Sequence, residues 1–151
     1  MKPTVLVSGL IEENGKFLLV KEKIGSWAGI WNFPSGYVES DKTIDEAVLK
    51  EVKKRTCLDT EVEGLVGVYQ RISKALKSDK NIVRIVFKMK ILSGEVCFPD
   101  EEIEEAAWLS ADEIRKMPDT KIAFGVKETI IDYLERGFMP QKIYSARKMQ
   151  I

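Results

Sequence analysis

The chain has 151 residues, of which 44% are hydrophobic and 32% are charged; this ordinary globular composition predicts a single domain, residues 1–151, and excludes disorder of the whole chain. The formal net charge is zero, which argues against a nucleic-acid binder held by a basic surface. No segment approaches the roughly 18 apolar residues of a membrane span, and the N-terminus lacks the pattern of an export signal. We therefore expect a cytoplasmic protein with neither nucleic acid nor membrane as a partner.

The chain contains no histidine, so the usual acid–base group near neutral pH and the commonest metal ligand are both missing. Any catalysis would have to rest on carboxylates, lysines, tyrosines or a metal held by oxygen atoms. The two cysteines, Cys57 and Cys97, form neither a disulfide framework nor a metal-ligand spacing. We expect both to be small buried side chains.

The N-terminal part of the chain predicts a hairpin. Two apolar runs, residues 4–13 and 16–23, are joined by Asn14-Gly15, the dipeptide that tight primed turns favour. Residues 25–36 are rich in glycine and aromatic side chains, which indicates a structured loop with a short strand at 30–33.

Residues 43–56 have the pattern of an amphipathic helix. Thr43 and Glu46, three residues apart, form a capping box. The apolar residues that share one face are Ile44, Ala47, Val48 and Val52.

Three strands are predicted after this helix, at 61–72, 81–92 and 106–109. In the second of them apolar residues alternate with charged ones, which is typical of a half-buried strand.

The C-terminal third predicts two helical segments. Ser110 and Glu113 repeat the capping-box pattern, and a final helix is predicted from about 121 to 136, with Gly137 as its stop. The tail, 139–151, is expected to be a flexible end or to pack on a partner. This order of elements predicts a mixed α/β domain with strands between helices.

The stretch WNFPSGYVE at 31–39, followed by a capped helix with Lys50-Glu51-Val52 and then Leu58, resembles the box of the Nudix hydrolase family, G-x5-E-x7-R-E-U-x-E-E-x-G-U, where U is a bulky aliphatic residue. The resemblance covers about residues 4–138. It implies an α/β fold, a Nudix-like α/β/α sandwich with a mixed β-sheet between helices. It also implies hydrolysis of a nucleoside diphosphate linked to another group, with a divalent cation bound at a loop–helix–loop.

Aligned from Gly36, the box departs from the family pattern at the positions that carry its chemistry. The replacements are Lys42 for the first glutamate, Lys50 for the arginine, Lys54 and Arg55 for the two closing glutamates, and Cys57 for the glycine. Of the box glutamates, Glu51 alone remains. The resemblance therefore implies no cofactor beyond Mg²⁺ or Mn²⁺, and either of these only if residual hydrolysis exists.

Lys54 and Arg55 have no lone pair for a metal, whereas Mg²⁺ and Mn²⁺ require oxygen ligands. Each positive charge ~4 Å from a divalent ion would cost on the order of 8 kcal/mol at an effective dielectric constant near 20, before screening. Metal-dependent hydrolysis is thus expected to be lost or weak. Glu51 lies within the apolar arc of its helix and needs a partner, which Lys54 and Arg55, three and four residues on, can supply.

Several functions stay open for this cationic helix end. Lys54 and Arg55 could meet phosphate oxygens directly, which would make the protein a metal-independent nucleotide binder. The acidic turn at 100–105 could instead neutralise these cations and close the site, which would leave an interaction scaffold. A solvated charge run without a special role is the third alternative.

An active enzyme with relocated carboxylates is the remaining alternative. Glu51 and Glu102 are its candidate catalytic residues, and Glu51 with Glu39 would hold the metal. A surface glutamate is the competing interpretation for each of the three.

The candidate substrate-binding residues are Lys54, Arg55, Lys50, Tyr37 and Arg71. Aromatic side chains that could stack on a nucleobase are Trp27, Tyr37, Tyr69 and Phe124, although such residues are more often core anchors. Lys21, Arg71 and Arg84 could meet phosphates from strand positions, or could form the solvent side of those strands. A homodimer stays open.

Overall fold

The computed structural model describes residues 3–72, 81–98 and 101–149. The strands are β1 (Thr4–Leu10), β2 (Glu12–Glu13), β3 (Lys16–Glu22), β4 (Trp31–Asn32), β5 (Ser35–Tyr37), β6 (Asp59–Arg71), β7 (Ile82–Ser93), β8 (Ile103–Ser110) and β9 (Met139–Pro140). The helices are α1 (Ile44–Thr56), α2 (Ala111–Lys116) and α3 (Val126–Arg136), and single 3-10 turns lie at Gly25–Trp27, Asp119–Lys121 and Gln141–Ile143. Among the described helices, none is long and apolar enough to cross a lipid bilayer.

The strands form two sheets. The larger has the order β5-β1-β7-β6-β9, and the smaller contains β2, β3 and β4 with β8 paired to β3. Strands β1 and β7 are parallel, whereas the other pairs are antiparallel. The larger sheet is therefore mixed and the smaller one antiparallel, and the α/β fold expected from the sequence is confirmed.

Apolar side chains fill a layer on each face of the larger sheet. Helix α1 packs Val48 and Val52 against Phe87 and other sheet residues on one face. Helix α3 packs Val126 and Ile130 against the other face. Since both faces carry helices, strands in the middle of the sheet are covered on both sides.

Strand β7 is one of these middle strands, and its predicted half-buried pattern is wrong. Arg84 is fully buried and Lys88 is 8% exposed, so the expected solvent side is interior. Lys88 is compensated by Glu63, whose carboxylate accepts from its Nζ at 2.8 Å. The alternation of charged and apolar residues correctly predicted a strand. Its charged side, however, faces α3 and the surrounding chain instead of solvent.

The predicted hairpin at Asn14-Gly15 is confirmed, with both residues at positive φ (52° and 76°) and β2 paired with β3. The run 4–13 is not one strand, however. It is interrupted at Ile11, so that β1 joins the larger sheet while β2 joins the smaller one.

Both capping boxes are present, at the starts of α1 and α2. Helix α3 begins at Val126 rather than near 121, because Gly125 at its N-terminus has φ +83°, which helical backbone does not adopt. It ends before Gly137, as expected. The tail packs on the protein itself: β9 pairs with β6, and the Gln141 amide donates to Asp45 at 2.9 Å.

The expectation for the cysteines is wrong. Cys57 and Cys97 form a disulfide with a Cα–Cα distance of 5.5 Å, and Cys97 is exposed. Cys57 caps α1 in a left-handed conformation, φ 71°, at the position where the Nudix box has glycine. The bond joins the end of α1 to the segment after β7. Disulfides are rare in reducing compartments. This bond therefore gives no support to a cytoplasmic location, which stays a prediction.

Candidate active site

Arg55 lies in the last turn of α1 with its side chain only 9% exposed, surrounded by carboxylates. Its Nε lies 3.4 Å from Glu51 Oε2, its Nη1 3.6 Å from Glu22 Oε1 and its Nη2 3.2 Å from Glu102 Oε2. We call these four residues the Arg55 cluster. The three carboxylates converge on the guanidinium of Arg55.

Strand register explains how the cluster assembles from distant parts of the chain. Glu51 lies one helical turn before Arg55, so their side chains share a face of α1. Glu22 ends β3, and β3 pairs with β8 so that Glu22 is opposite Ile103. Glu102 immediately precedes Ile103, and the Lys23 amide donates to its carbonyl at 2.7 Å. The pairing of β3 with β8 therefore carries Glu102 to Arg55.

Gly36 in β5 lets the Glu51 carboxylate reach this position. A Cβ atom at Gly36 would overlap the carboxyl carbon of Glu51. The first glycine of the box thus provides the space in which Glu51, 8% exposed, packs against β5. Glu51 is buried, as its place in the apolar arc indicated; of the two partners predicted for it, Arg55 is the one with which it pairs.

The other predicted site residues lie elsewhere. Lys50 donates to Glu39 Oε1 at 2.5 Å on the surface, and this hydrogen bond raises the pKa of Lys50. Glu39 is thus committed to Lys50, while Glu51 and Glu102 meet at Arg55. Lys54 is exposed and makes no ion pair within the described part of the chain. Glu22 was missed, since only the strand register reveals its proximity to Arg55.

Near the Arg55 cluster lies a second set of basic and aromatic side chains. The Arg84 guanidinium lies 4.9 Å and the Arg71 guanidinium 5.9 Å from the ring centroid of Phe124, and the rings of Trp27 and Phe124 are 6.4 Å apart. We call Trp27, Arg71, Arg84 and Phe124 the Phe124 group. Glu22 links the two sets electrostatically, because its carboxylate acts on Arg84 as well as on Arg55.

Tyr37 and Tyr69, the other candidate ring platforms, differ in their surroundings. Tyr37 is 47% exposed. The Tyr69 hydroxyl donates to Asp132 at 2.7 Å, and burial together with this bond raises the pKa of Tyr69 to about 12. Tyr69 is also packed against the core beneath α3, where it acts as an anchor.

Comparison with known proteins identifies the family. The model of the NUDIX domain matches residues 1–131. The chain belongs to the Nudix family. It is 33% identical over 134 residues to an ADP-ribose pyrophosphatase of Methanocaldococcus jannaschii, a match that covers 89% of this chain and 75% of that protein.

Two further Nudix proteins extend the comparison. Phosphatase NudJ of Escherichia coli K12 is 32% identical over 117 residues, covering 75% of this chain and 72% of NudJ. A NUDIX hydrolase from Nitrosomonas europaea has a similar structure, with a TM-score of 0.81, 30% identity, and coverage of 97% of this chain and 98% of that one. The Nudix fold is thereby confirmed.

Nudix hydrolases generally use a divalent cation, and the residues present here do not fit one. The oxygen atoms of the right chemical type, on Glu22, Glu51 and Glu102, surround the guanidinium of Arg55. No group of three or more metal-ligating side chains is found among the described residues. A cation at this place would have to displace Arg55.

Proposed function

We propose that this Nudix-family protein does not carry out metal-dependent hydrolysis of nucleoside diphosphate derivatives, and that it binds nucleotide-like phosphates instead. The observation that carries the proposal is Arg55, buried among Glu22, Glu51 and Glu102. Arginine is charged at every physiological pH, so it can stand permanently where a dissociable metal would be needed.

Hydrolysis of a diphosphate at this site would lack the metal cation that stabilises the reaction electrostatically. Metal-dependent cleavage needs a cation that polarises a phosphoryl oxygen and lowers the pKa of a bound water. A guanidinium has no coordination position for a water and cannot lower the pKa of a bound water, and the Arg55 nitrogens are directed at three carboxylates rather than at a phosphoryl oxygen. The three carboxylates, already paired with Arg55, also oppose the approach of a phosphate at this point. Direct contact of Arg55 with substrate phosphates, one of the alternatives from the sequence, is therefore disfavoured.

Binding is proposed to rest on the Phe124 group instead. Two guanidiniums and two aromatic rings lie together there, which are the side chains suited to phosphate oxygens and to a flat base. The names of the M. jannaschii and E. coli relatives suggest the class of ligand. Nucleotide-like compounds, with ADP-ribose as the first choice, are the probes to use.

A working hydrolase with relocated carboxylates is the second candidate, and one observation favours it. Glu22, Glu51 and Glu102 come from three separate segments yet converge within ion-pair distance of one point. If Arg55 swings out, these oxygens could receive Mg²⁺ or Mn²⁺.

Calorimetry with ADP-ribose, with Mg²⁺ and with a chelator, distinguishes these functions when combined with phosphorus NMR of the same samples. Binding in chelator without cleavage in Mg²⁺ is the expected result. Cleavage that requires Mg²⁺ and collapses in Glu51→Gln would establish the hydrolase instead. Absence of binding under both conditions would leave the scaffold function, and the M. jannaschii pyrophosphatase serves as the positive control.

A further inference from the structure

Arg84 is anchored by one of its nitrogen atoms to three strands. Its Nη1 donates to Ser8 Oγ at 2.8 Å, to Asn32 Oδ1 at 2.9 Å and to Ser35 Oγ at 3.4 Å, on β1, β4 and β5 respectively. The Ser35 hydroxyl donates to the Phe33 carbonyl, so the Ser8 hydroxyl is the donor between the two serines, 2.7 Å apart. Both serine oxygens therefore accept from Arg84, and the guanidinium has one fixed orientation.

All three partners of Nη1 are uncharged, so the hydrogen bonds orient Arg84 without neutralising it. The side chain is fully buried, and burial lowers the pKa of Arg84 to about 10. The groups that act on it electrostatically are Glu22, Tyr37 and Glu128. Among these, Glu22 is already paired with Arg55 at 3.6 Å.

The other edge of the guanidinium is unused. Nε and Nη2 of Arg84 are buried, and neither has a hydrogen-bond partner in residues 3–72, 81–98 or 101–149. These two nitrogens carry parallel N–H groups, the fork with which arginine binds two oxygens of a phosphate or carboxylate. Because buried donors are nearly always satisfied in native proteins, two donors at a fixed position that have no partner among the described residues need an explanation.

The Phe124 ring lies against the Arg84 guanidinium, with its centroid 4.9 Å from Cζ. Phe124 is only half-buried, and it is followed by Gly125 at φ +83°, where a Cβ would lie 3.4 Å from Arg84 Nε. The positive φ favours glycine at this position, and the backbone that follows Phe124 runs beside Arg84. The centroid of the Trp27 ring is 6.4 Å from that of Phe124.

We propose that Arg84 is the phosphate-recognition residue of the Phe124 group, and that its Nε–Nη2 edge binds two oxygens of a phosphate group when the Phe124 ring moves aside. The assignment rests on the proposed nucleotide-binding function and specifies the atoms responsible. A phosphate group supplies oxygen acceptors for the two N–H groups of the fork. It also supplies a negative charge, which the three uncharged partners of Nη1 do not. Phe124 and Trp27 would then flank the remainder of the ligand.

NMR of the wild-type protein, labelled with a nitrogen isotope and kept in chelator, tests the assignment. A buried arginine gives a slowly exchanging Nε–H signal, and Arg84→Lys identifies it by its loss. ADP is expected to shift this signal, whereas adenosine, which lacks phosphate, is expected to leave it unchanged. Inorganic phosphate distinguishes two possible sources of the bound phosphate group. A shift with ADP alone identifies a phosphate carried by a nucleotide, whereas a shift with both compounds shows that free phosphate also binds.

Affinity measurements on variants provide the second arm. Arg84→Lys keeps the charge but removes the fork, and we expect it to weaken ADP binding by about tenfold or more. Arg115→Lys, the same change at a side chain that is 71% exposed, is the matched control and should bind as the wild type does. Phe124→Ala removes the ring that lies against the guanidinium and should leave affinity for inorganic phosphate equal or higher.

Three results would overturn the assignment: an Nε–H signal that neither anion moves, an equal shift with adenosine, or a folded Arg84→Lys variant with wild-type affinity for ADP. The first would mean that ordered water occupies the fork. If Arg84→Lys does not fold, the Nε–H signal is assigned in the wild-type spectrum through its proximity to the Phe124 ring protons, and the wild-type titration decides alone. Tight ADP binding that does not depend on Arg84 would contradict this assignment but agree with the proposed nucleotide-binding function. Absence of ADP binding in chelator would contradict both the assignment and the proposed function.

Discussion

Replacing Arg55 with methionine tests the structural basis of the proposal, because methionine keeps much of the volume and removes the charge. Glu22 and Glu51, 13% and 10% exposed, would lose their shared counter-charge. Removing one partner of a buried ion pair typically costs about 3–5 kcal/mol. For a chain of this size that corresponds to a decrease in Tm of roughly 6–20 °C.

Urea unfolding followed by circular dichroism measures this change as a lower midpoint with an unchanged slope. Lys53→Met is the matched control, since Lys53 lies on the same helix in an ion pair whose side chains are both 55% exposed and worth about 0–1 kcal/mol. Adding Glu51→Gln to Arg55→Met should recover part of the loss. Mg²⁺ should stabilise Arg55→Met and leave the wild type unchanged.

Equal unfolding midpoints for Arg55→Met and the wild type would refute the reasoning. Such a result would mean that the carboxylates need no cation in the folded protein. The position of Arg55 would then carry no argument about a lost metal site.

Three further predictions concern the surrounding structure. Because the Cys57–Cys97 bond has a sequence separation of 40, reducing it should lower the free energy of unfolding by about 4 kcal/mol on the loop-entropy model. Urea unfolding with and without reductant measures this change, and the effect of the reductant should be absent in Cys97→Ser. Gly36→Ala should cost roughly 1–3 kcal/mol because the added methyl group overlaps the Glu51 carboxyl group; an unchanged melting temperature would contradict the close approach. The pKa of Tyr69 is raised from 10.0 to about 12, so its contribution to stability is complete below pH 10 and decreases as the pH rises towards 12; alkaline unfolding should show this slope in the wild type and a shallower one in Tyr69→Phe, in which Tyr133 and Tyr144, whose pKa values are also raised, still contribute.

Features set by local sequence were predictable. The capping boxes at Thr43 and Ser110 require only residues three apart, and the hairpin at Asn14 depends on a single dipeptide. The burial of Glu51 followed from its place in an apolar helical face. Each of these depends on backbone geometry within one element, which the sequence displays directly.

Features that depend on pairing between distant segments were not predictable. Glu22 reaches Arg55 because of the β3–β8 register, and no pattern within β3 shows this. Arg84 was expected to be either a phosphate contact or a solvent-facing residue, and its burial follows from helices covering both faces of β7. The Cys57–Cys97 bond likewise joins residues whose proximity only the fold creates.

Helix α3 shows how a continuous apolar pattern can mislead. Ile122, Ala123 and Val126 are all buried, so the pattern extends before the helix begins. The positive φ of Gly125 separates the two parts. That separation places Phe124 outside the helix, with its ring centroid 4.9 Å from the Arg84 guanidinium.

Cleavage of ADP-ribose, followed by phosphorus NMR in Mg²⁺, in Mn²⁺ and in chelator, tests the central claim most directly. The M. jannaschii ADP-ribose pyrophosphatase, prepared identically, fixes the sensitivity of the assay. With Arg55 in the place of the cation, we expect the diphosphate signals to persist in all three conditions. Conversion to monophosphate signals that requires either metal would contradict the account and identify the protein as a hydrolase.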